Sequence, residues 1–511
     1  MSAGHGASRA FWVVAALLAA AVAAWPWLGG MVAANDDLKF VRGAVTERGM
    51  WPAIVESWRT ASVFRPLDLA VGFACDPASL SVGIAPVVQA AGLALLLWST
   101  SGLARRVAPA FPAAGPIAVI LVLLSPGTTS GLWQVDAVSQ TWSAALGTLA
   151  MLMAVDAFGR AGMPGGAMRL FAIGAVFVAG CTIKESFYGW SAAIGTAVMV
   201  GLVARWRRGR IEASACALLI PVVAVPLLHL ALRVTTGALG AAAESDPGAR
   251  YKAELGLNLL VNSGMAVAGS LANGPFHAVN DEAAPVAVRI LPLASALAAL
   301  GVMAAAWLLA AFHRRDGGPA RLSPCFAAAA VGIACLSVYL PMGSVSELYC
   351  FGANVPVAIA LAAALCALWS PQAEDERAIG RSTAVIAGAV LALVGLFGLA
   401  GRAYHHRVTW QYAVLANEAI LAHAERVPPV DPASGRVAWA LYLPGPCILG
   451  RTYAQYVIPP AQAIGLEETV PWLQRRDPSR AMAFSVNPPV GTVPAGDLVL
   501  DCGAFPQRAH W

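Results

Sequence analysis

Charge is what this chain has least of. Asp, Glu, Lys and Arg make up 12% of its 511 residues and apolar residues 58%; a soluble domain is about 25% charged, so a water-soluble globular protein is excluded and an integral membrane protein is indicated. Basic tracts are missing too. The formal charge is only +5, and no Lys/Arg run is interleaved with aromatics, which argues against a nucleic-acid partner. The nine Cys form no CxxC pair and no Cys/His cluster with metal-ligand spacing, so they read as small apolar residues of helices. There is no HExxH, no Gly-rich phosphate loop and no Ser nucleophile elbow, which removes three common hydrolase and nucleotide-binding chemistries.

What is present is a series of long apolar runs. Spans are expected near 11–33, 79–99, 111–125, 138–156, 169–183, 187–204, 213–232, 286–312, 322–341, 351–370 and 383–400, eleven in all, each about long enough for the hydrocarbon core. The first has an apolar stretch of about 24 residues, longer than the 7–15 of a secretory leader, and reads as a transmembrane helix. Orientation follows from the short connections, because Lys and Arg collect on the cytoplasmic side. Alternate connections hold Arg105 and Arg106, Arg160 and Arg169, "RWRRGR" at 205–210, "HRRDGGPAR" at 313–321, and Arg377 and Arg381, whereas 126–137 and 342–350 hold none. The N-terminus is therefore expected in the cytoplasm and the C-terminal tail outside.

This orientation sorts the acidic residues. Of the 28 Asp and Glu, only Asp156, Glu212, Asp316, Glu374, Asp375 and Glu376 fall in inward parts. The outward segments are 34–78, 126–140, 233–285 and the tail from 401. Within the tail, 403–427 reads as an amphipathic helix, and Pro residues at 428–432 break it. Beyond the break come strand-like "RVAWALYLP", a helix-like region around 450–475, and strand-like "AMAFSV" and "DLVLDCG". The expected organisation is a polytopic α-helical membrane module over 1–400, with an outer loop at 34–78, followed by a small extracytoplasmic α/β domain over 401–511. Cys447 and Cys502 both lie in that domain, in a compartment that permits a disulfide; spacing alone leaves their pairing open.

The outward groups are where chemistry is expected. Asp36 and Asp37, in "NDDLKF", follow the first span directly. They read either as caps of the helix that follows, accepting from orphan N–H groups, or as a general base at the membrane surface, where partial dehydration makes a carboxylate more basic. Arg65 in "FRPL" can fork onto a phosphate or snorkel to headgroups. Trp133, Gln134 and Asp136 in the next outer loop suit a sugar ring, or, for the Trp, an interface anchor. Lys184 and Glu185 in "TIKES" sit between two apolar stretches; charges at such depth are a functional-site hypothesis, with mutual pairing at the surface as the plainer explanation. Glu347, Tyr349 and Asn354 open a late span and read as helix caps or substrate contacts.

A cytoplasmic first helix, an outer loop opening on an acidic pair, many further spans and an outward C-terminal domain together resemble the GT-C superfamily of membrane glycosyltransferases. The residues carrying the resemblance are "NDDLKF", "FRPL", "TIKES" and "SELY". The resemblance implies a GT-C-like fold in a bacterial cytoplasmic membrane and a polyprenyl-phosphate sugar donor. It implies a glycolipid, polysaccharide or protein acceptor hydroxyl on the outer face. It further implies Asp36 as catalytic base with Asp37 positioning the acceptor, Lys184 and Arg65 on the donor phosphate, and Trp133, Gln134, Asp136, Glu185, Glu347 and Tyr349 on substrate. No redox cofactor is required; acidic outer loops can hold a divalent metal, although no ligand set here specifies one.

Two other readings stand beside this one. A transporter or lipid flippase for a cell-envelope precursor would account for eleven spans, but it predicts charged or broken helices near mid-membrane, and the spans are nearly free of ionisable groups. An assembly component whose outer domain binds partners leaves the Lys184/Glu185 pair without a role.

Overall fold

The computed structural model describes residues 2–29, 31–43, 46–59, 65–131, 133–159, 166–209, 213–235, 256–271, 285–312, 322–334, 336, 339–340, 349–369, 374–443, 450–453, 456–458, 460–485, 493–494 and 496–500. Among them, nine helices are long and apolar enough to cross a membrane: Ser8–Leu28, Ala85–Val107, Val138–Gly159, Gly166–Ile183, Phe187–Trp206, Ala215–Thr235, Val286–Ala311, Phe351–Trp369 and Gly380–Arg426. Two further expected spans are shorter helices, Ala114–Leu123 and Ser323–Ala334, which at 1.5 Å per residue are well under the hydrocarbon thickness. The first of these stops before Pro126, where a second helix, Pro126–Gly131, begins. The protein is thus a multi-pass membrane protein, with helices matching all eleven apolar runs.

Phe351–Trp369 is the centre of the bundle. Its Ala360, Ala362, Ala363 and Ala364 are fully buried, because small side chains let neighbouring helices approach closely where no hydrophobic force drives them together. A similar approach occurs at Gly147, where a Cβ would stand 2.3 Å from the Trp190 ring. The stretch 233–285, expected to face outward, contains an apolar helix, Leu257–Leu271, too short to register as a span. It docks on the central helix through Asn354 Nδ2, which donates to the carbonyls of Gly269 and Ser270 at 2.9 and 3.0 Å.

The last span and the amphipathic segment are one helix, Glu374–Arg426, of 53 residues. At about 80 Å it far exceeds the bilayer, so its C-terminal part projects beyond the membrane, and Pro428 ends it by withholding an N–H. The expected boundary at 400/401 therefore falls inside an unbroken helix. Beyond it, β1 (Trp439–Tyr442) lies between β4 (Met482–Ser485) and β5 (Leu498–Val499), parallel to both. The region expected to be helical from 450 starts as an antiparallel pair, β2 (Gly450–Tyr453) and β3 (Tyr456–Ile458). "RTYAQYVI" is rich in β-branched and aromatic residues that favour a pleat; the helix over Leu466–Arg476 follows. Tyr412, Ile420, Trp439, Leu441, Trp472 and Met482 share one core, which fixes the sheet onto the projecting helix. Cys447 and Cys502 lie outside the described residues.

Candidate functional site

Asn35–Asp37 forms one 3-10 turn, and the short helix Leu38–Val41 follows it. The two carboxylates diverge. Asp37 occupies the N-cap position but makes no side-chain cap bond, a correction to the expected capping role. Its carboxylate, 1% exposed, accepts instead from the Ala34 N–H at 3.2 Å and the Asp136 N–H at 2.7 Å. It thereby ties the loop after the first span to the one that holds Asp136. Burial, with the Asp136 charge adding to it, pushes Asp37 well above the usual carboxylate range. Asp136 is raised as well, by burial and then by Asp36. Asp36 keeps 32% of its side chain exposed and meets Lys39 Nζ at 3.0 Å.

A second group of charges lies along the same face. Arg65 precedes the helix Pro66–Phe73, where Pro66 suits the first turn. Its guanidinium reaches Glu185 Oε2 at 3.2 Å and Asp68 Oδ2 at 4.0 Å. Glu185 Oε1 is 3.3 Å from Arg233, so this carboxylate bridges two guanidinium groups. Burial acts to raise Glu185, but Arg65, Lys184 and Arg233 together bring it down to about 2. The expected pairing of Glu185 with Lys184 is replaced by these two arginines. Among the described residues the Lys184 ammonium makes no hydrogen bond and no ion pair within 4.0 Å. Burial, then Arg65, lowers its pKa, and Asp68, Glu185 and Asp136 act against that. Among the described residues three cations, Arg65, Lys184 and Arg233, therefore share this region with Glu185 and Asp68, the two carboxylates of its ion pairs, and with Asp136, which acts on Lys184 without pairing with it.

Asp68 is one of the two carboxylates and was not singled out from the sequence. It is fully buried; Oδ1 accepts from the Ser139 N–H at 3.2 Å, and Oδ2 has no hydrogen-bond partner. Burial pushes it up to about 6 against the pull of Arg65 and Lys184. Arg233 and Glu468 were missed as well. Arg233 is a lone cation at the outer end of an apolar span, a signal available in the sequence. Glu468, in the first turn of Leu466–Arg476, is pushed up to about 7 by burial, with Lys39 lowering it and Glu467 and Asp36 raising it. Its presence beside Asp36 and Lys39 depends on how the C-terminal domain docks, which no local pattern announces.

The remaining expected residues are dispersed. Trp133 is 3% exposed: its Nε1 donates to the Val22 carbonyl at 3.3 Å, and its own carbonyl meets His406. Gln134 is buried, and its carbonyl accepts from Gln89 Nε2 at 3.2 Å. Both belong to the helix packing, which leaves no Trp133 face for a sugar ring. Tyr349 stacks on Tyr339 with ring centroids 4.6 Å apart. The two tyrosines line a narrow cavity with Gln140, Ser143, Ser186 and Trp190, where the Ser143 and Ser186 hydroxyls are 2.7 Å apart. Glu347 lies outside the described residues. Among the described residues, no group of three or more His, Cys, Asp or Glu could hold a metal ion.

No family model matches the sequence, and no curated protein matches it. Solved structures of similar shape include the Archaeoglobus fulgidus oligosaccharyltransferase in complex with Zn and sulfate, at 13% identity and a TM-score of 0.49 over 94% of this chain and 62% of that one. AglB, the oligosaccharyltransferase of the same archaeon in complex with an inhibitory peptide and a dolichol-phosphate, gives 13% and 0.47 over 85% and 62%. ArnT from Cupriavidus metallidurans gives 15% and 0.42 over 86% and 83%. The chain spans about three-fifths of the length of the oligosaccharyltransferase chains. Residue roles rest on the geometry above rather than on these likenesses.

Proposed function

We propose that the protein is a membrane glycosyltransferase that moves a sugar from a polyprenyl-phosphate donor to an acceptor hydroxyl at the outer face of the cytoplasmic membrane. The observation that carries this reading is the placement of a partly exposed carboxylate, Asp36, and an ammonium, Lys184, that has no ion-pair partner among the described residues, with Asp136 feeling the charge of both. One end accepts a proton and the other stabilises an anion, which is what displacement at an anomeric carbon requires.

In the proposed step the acceptor oxygen attacks the anomeric carbon while Asp36 takes its proton. A carbon–oxygen bond forms to the acceptor, and the bond from carbon to the phosphate oxygen breaks on the opposite side, so the centre inverts. The electron pair leaves with the polyprenyl phosphate, whose charge grows by one. That oxygen is a weak base and needs a cation rather than a proton; Lys184 and Arg65 supply it in a setting of low dielectric. General-base assistance of this kind contributes about 10²- to 10⁴-fold. Asp37 is the poorer base, because it is enclosed and both its oxygens already accept backbone N–H groups.

The test is transfer by the protein in nanodiscs, supplied one at a time with labelled polyprenyl-phosphate sugars and with glycolipid, polysaccharide and protein fractions. Label should move to one acceptor class. Failure to bind or transfer any lipid-linked sugar would overturn the reading.

A further inference from the structure

Arg42 is 2% exposed and ends the four-residue helix that begins next to Asp37. Its guanidinium donates from all three nitrogens to three separate parts of the chain. Nε donates to the Pro77 carbonyl at 2.9 Å and one terminal nitrogen to Thr469 Oγ1 at 2.8 Å. The other donates to Asn417 Oδ1, and Asn417 Nδ2 in turn donates to the Ala78 carbonyl at 2.8 Å. The flat face lies 4.3 Å from the Trp472 ring centroid. Burial draws Arg42 down to about 9, so it remains a cation near neutrality.

The neighbouring contacts follow the same axis. Arg475 donates to the Arg42 carbonyl at 2.8 Å and pairs with Glu47 at 2.6 Å. Leu38 packs on Gly465, which holds φ +52 and where a Cβ would stand 2.6 Å from Leu38 Cδ1. Thr469, Trp472 and Gly465 belong to the C-terminal domain, Asn417 to the projecting helix, and Pro77 and Ala78 to the end of the outer loop. A planar fork with five donors can tie these parts at once, which an ammonium cannot.

We infer that the C-terminal domain is part of the catalytic centre, with Arg42 as the positioning residue that locks the loop bearing Asp36 onto Thr469, Asn417 and Trp472. The inference rests on the reading of Asp36 as base. Its physical ground is leverage. Asp36 and Arg42 are six positions apart across one 3-10 turn and one short helix, so a helix that loses its anchor swings the carboxylate. A misplacement of about 1 Å at a reacting group can cost on the order of 10²-fold in rate.

The experiment compares Arg42→Gln, Arg42→Lys and Asn417→Ala with wild type in nanodiscs, reading donor affinity, turnover, and amide hydrogen exchange of residues 31–43. Arg42→Gln should leave donor affinity within about twofold, lower turnover on the order of 10²-fold, and speed exchange in 31–43 while the spans stay protected. Arg42→Lys should recover little of the turnover, and Asn417→Ala, which removes one acceptor only, should fall between if Arg42→Gln proves unstable. Unchanged turnover together with unchanged exchange in 31–43 would overturn the inference, as would equal losses of donor affinity and turnover. Faster exchange in 31–43, in a chain whose wild type binds no lipid-linked sugar, would sink the glycosyl-transfer reading and leave the lock standing.

Discussion

Replacing Asp68 by Asn isolates the cost of a buried carboxylate in the cation cluster. Asp68 is fully buried and raised from its ordinary value near 3.8 to about 6 by desolvation, which outweighs Arg65 and Lys184. The folded state therefore holds this proton more tightly than the unfolded chain. Its contribution to stability is complete below about pH 4 and is lost as pH rises through about 6. The difference corresponds to about 3 kcal/mol. Asn preserves the shape and the oxygen that accepts from the Ser139 N–H, yet carries no charge. Asp68→Asn should thus unfold at a higher temperature than wild type at pH 8, with the gap closing towards pH 4. Intrinsic Trp fluorescence during heating in detergent, repeated at half-unit pH steps, reads this directly. Parallel wild-type and variant curves across that range would refute the reasoning.

The other substitutions probe the anion site and the domain contact. Lys184→Ala should weaken binding of the polyprenyl-phosphate donor by about 1.5–3 kcal/mol, the worth of one charged hydrogen bond, measured by titration in nanodiscs; unchanged affinity would remove Lys184 from the phosphate site. Gly465→Ala must place a side chain at φ +52 and 2.6 Å from Leu38, costing about 2–4 kcal/mol in strain and overpacking. Gly435→Ala, at φ +65 with nothing within 4 Å, should cost only the strain, about 1–2 kcal/mol, and equal melting shifts for the two would contradict the contact.

The membrane architecture was legible because the bilayer imposes a length and a compositional rule that local sequence must obey. The helix Leu257–Leu271 escaped that rule by being short. The separation of Asp36 from Asp37 was half legible: the end of the first span puts both at one membrane face, but which one is buried depends on the Ala34 and Asp136 amides, and Asp136 belongs to another loop. Trp133 reads as a sugar platform in isolation and is enclosed because Val22 and His406 reach it from distant helices. Asp68 lies in the first turn of Pro66–Phe73, where the helix dipole favours a carboxylate whatever its role; only the fold sets it against Arg65 and Lys184. Glu468 and Arg42 acquire their meaning from the docking of the C-terminal domain, a contact between positions more than 400 residues apart.

The most direct test of the central claim is sugar transfer by Asp36→Asn and Asp37→Asn, each normalised to folded protein and to bound donor. The account predicts that Asp36→Asn binds donor normally and loses about 10²- to 10⁴-fold in turnover, whereas Asp37→Asn, which keeps one of the two oxygens that accept from the Ala34 and Asp136 amides, loses far less. Transfer by Asp36→Asn at the wild-type rate would contradict it.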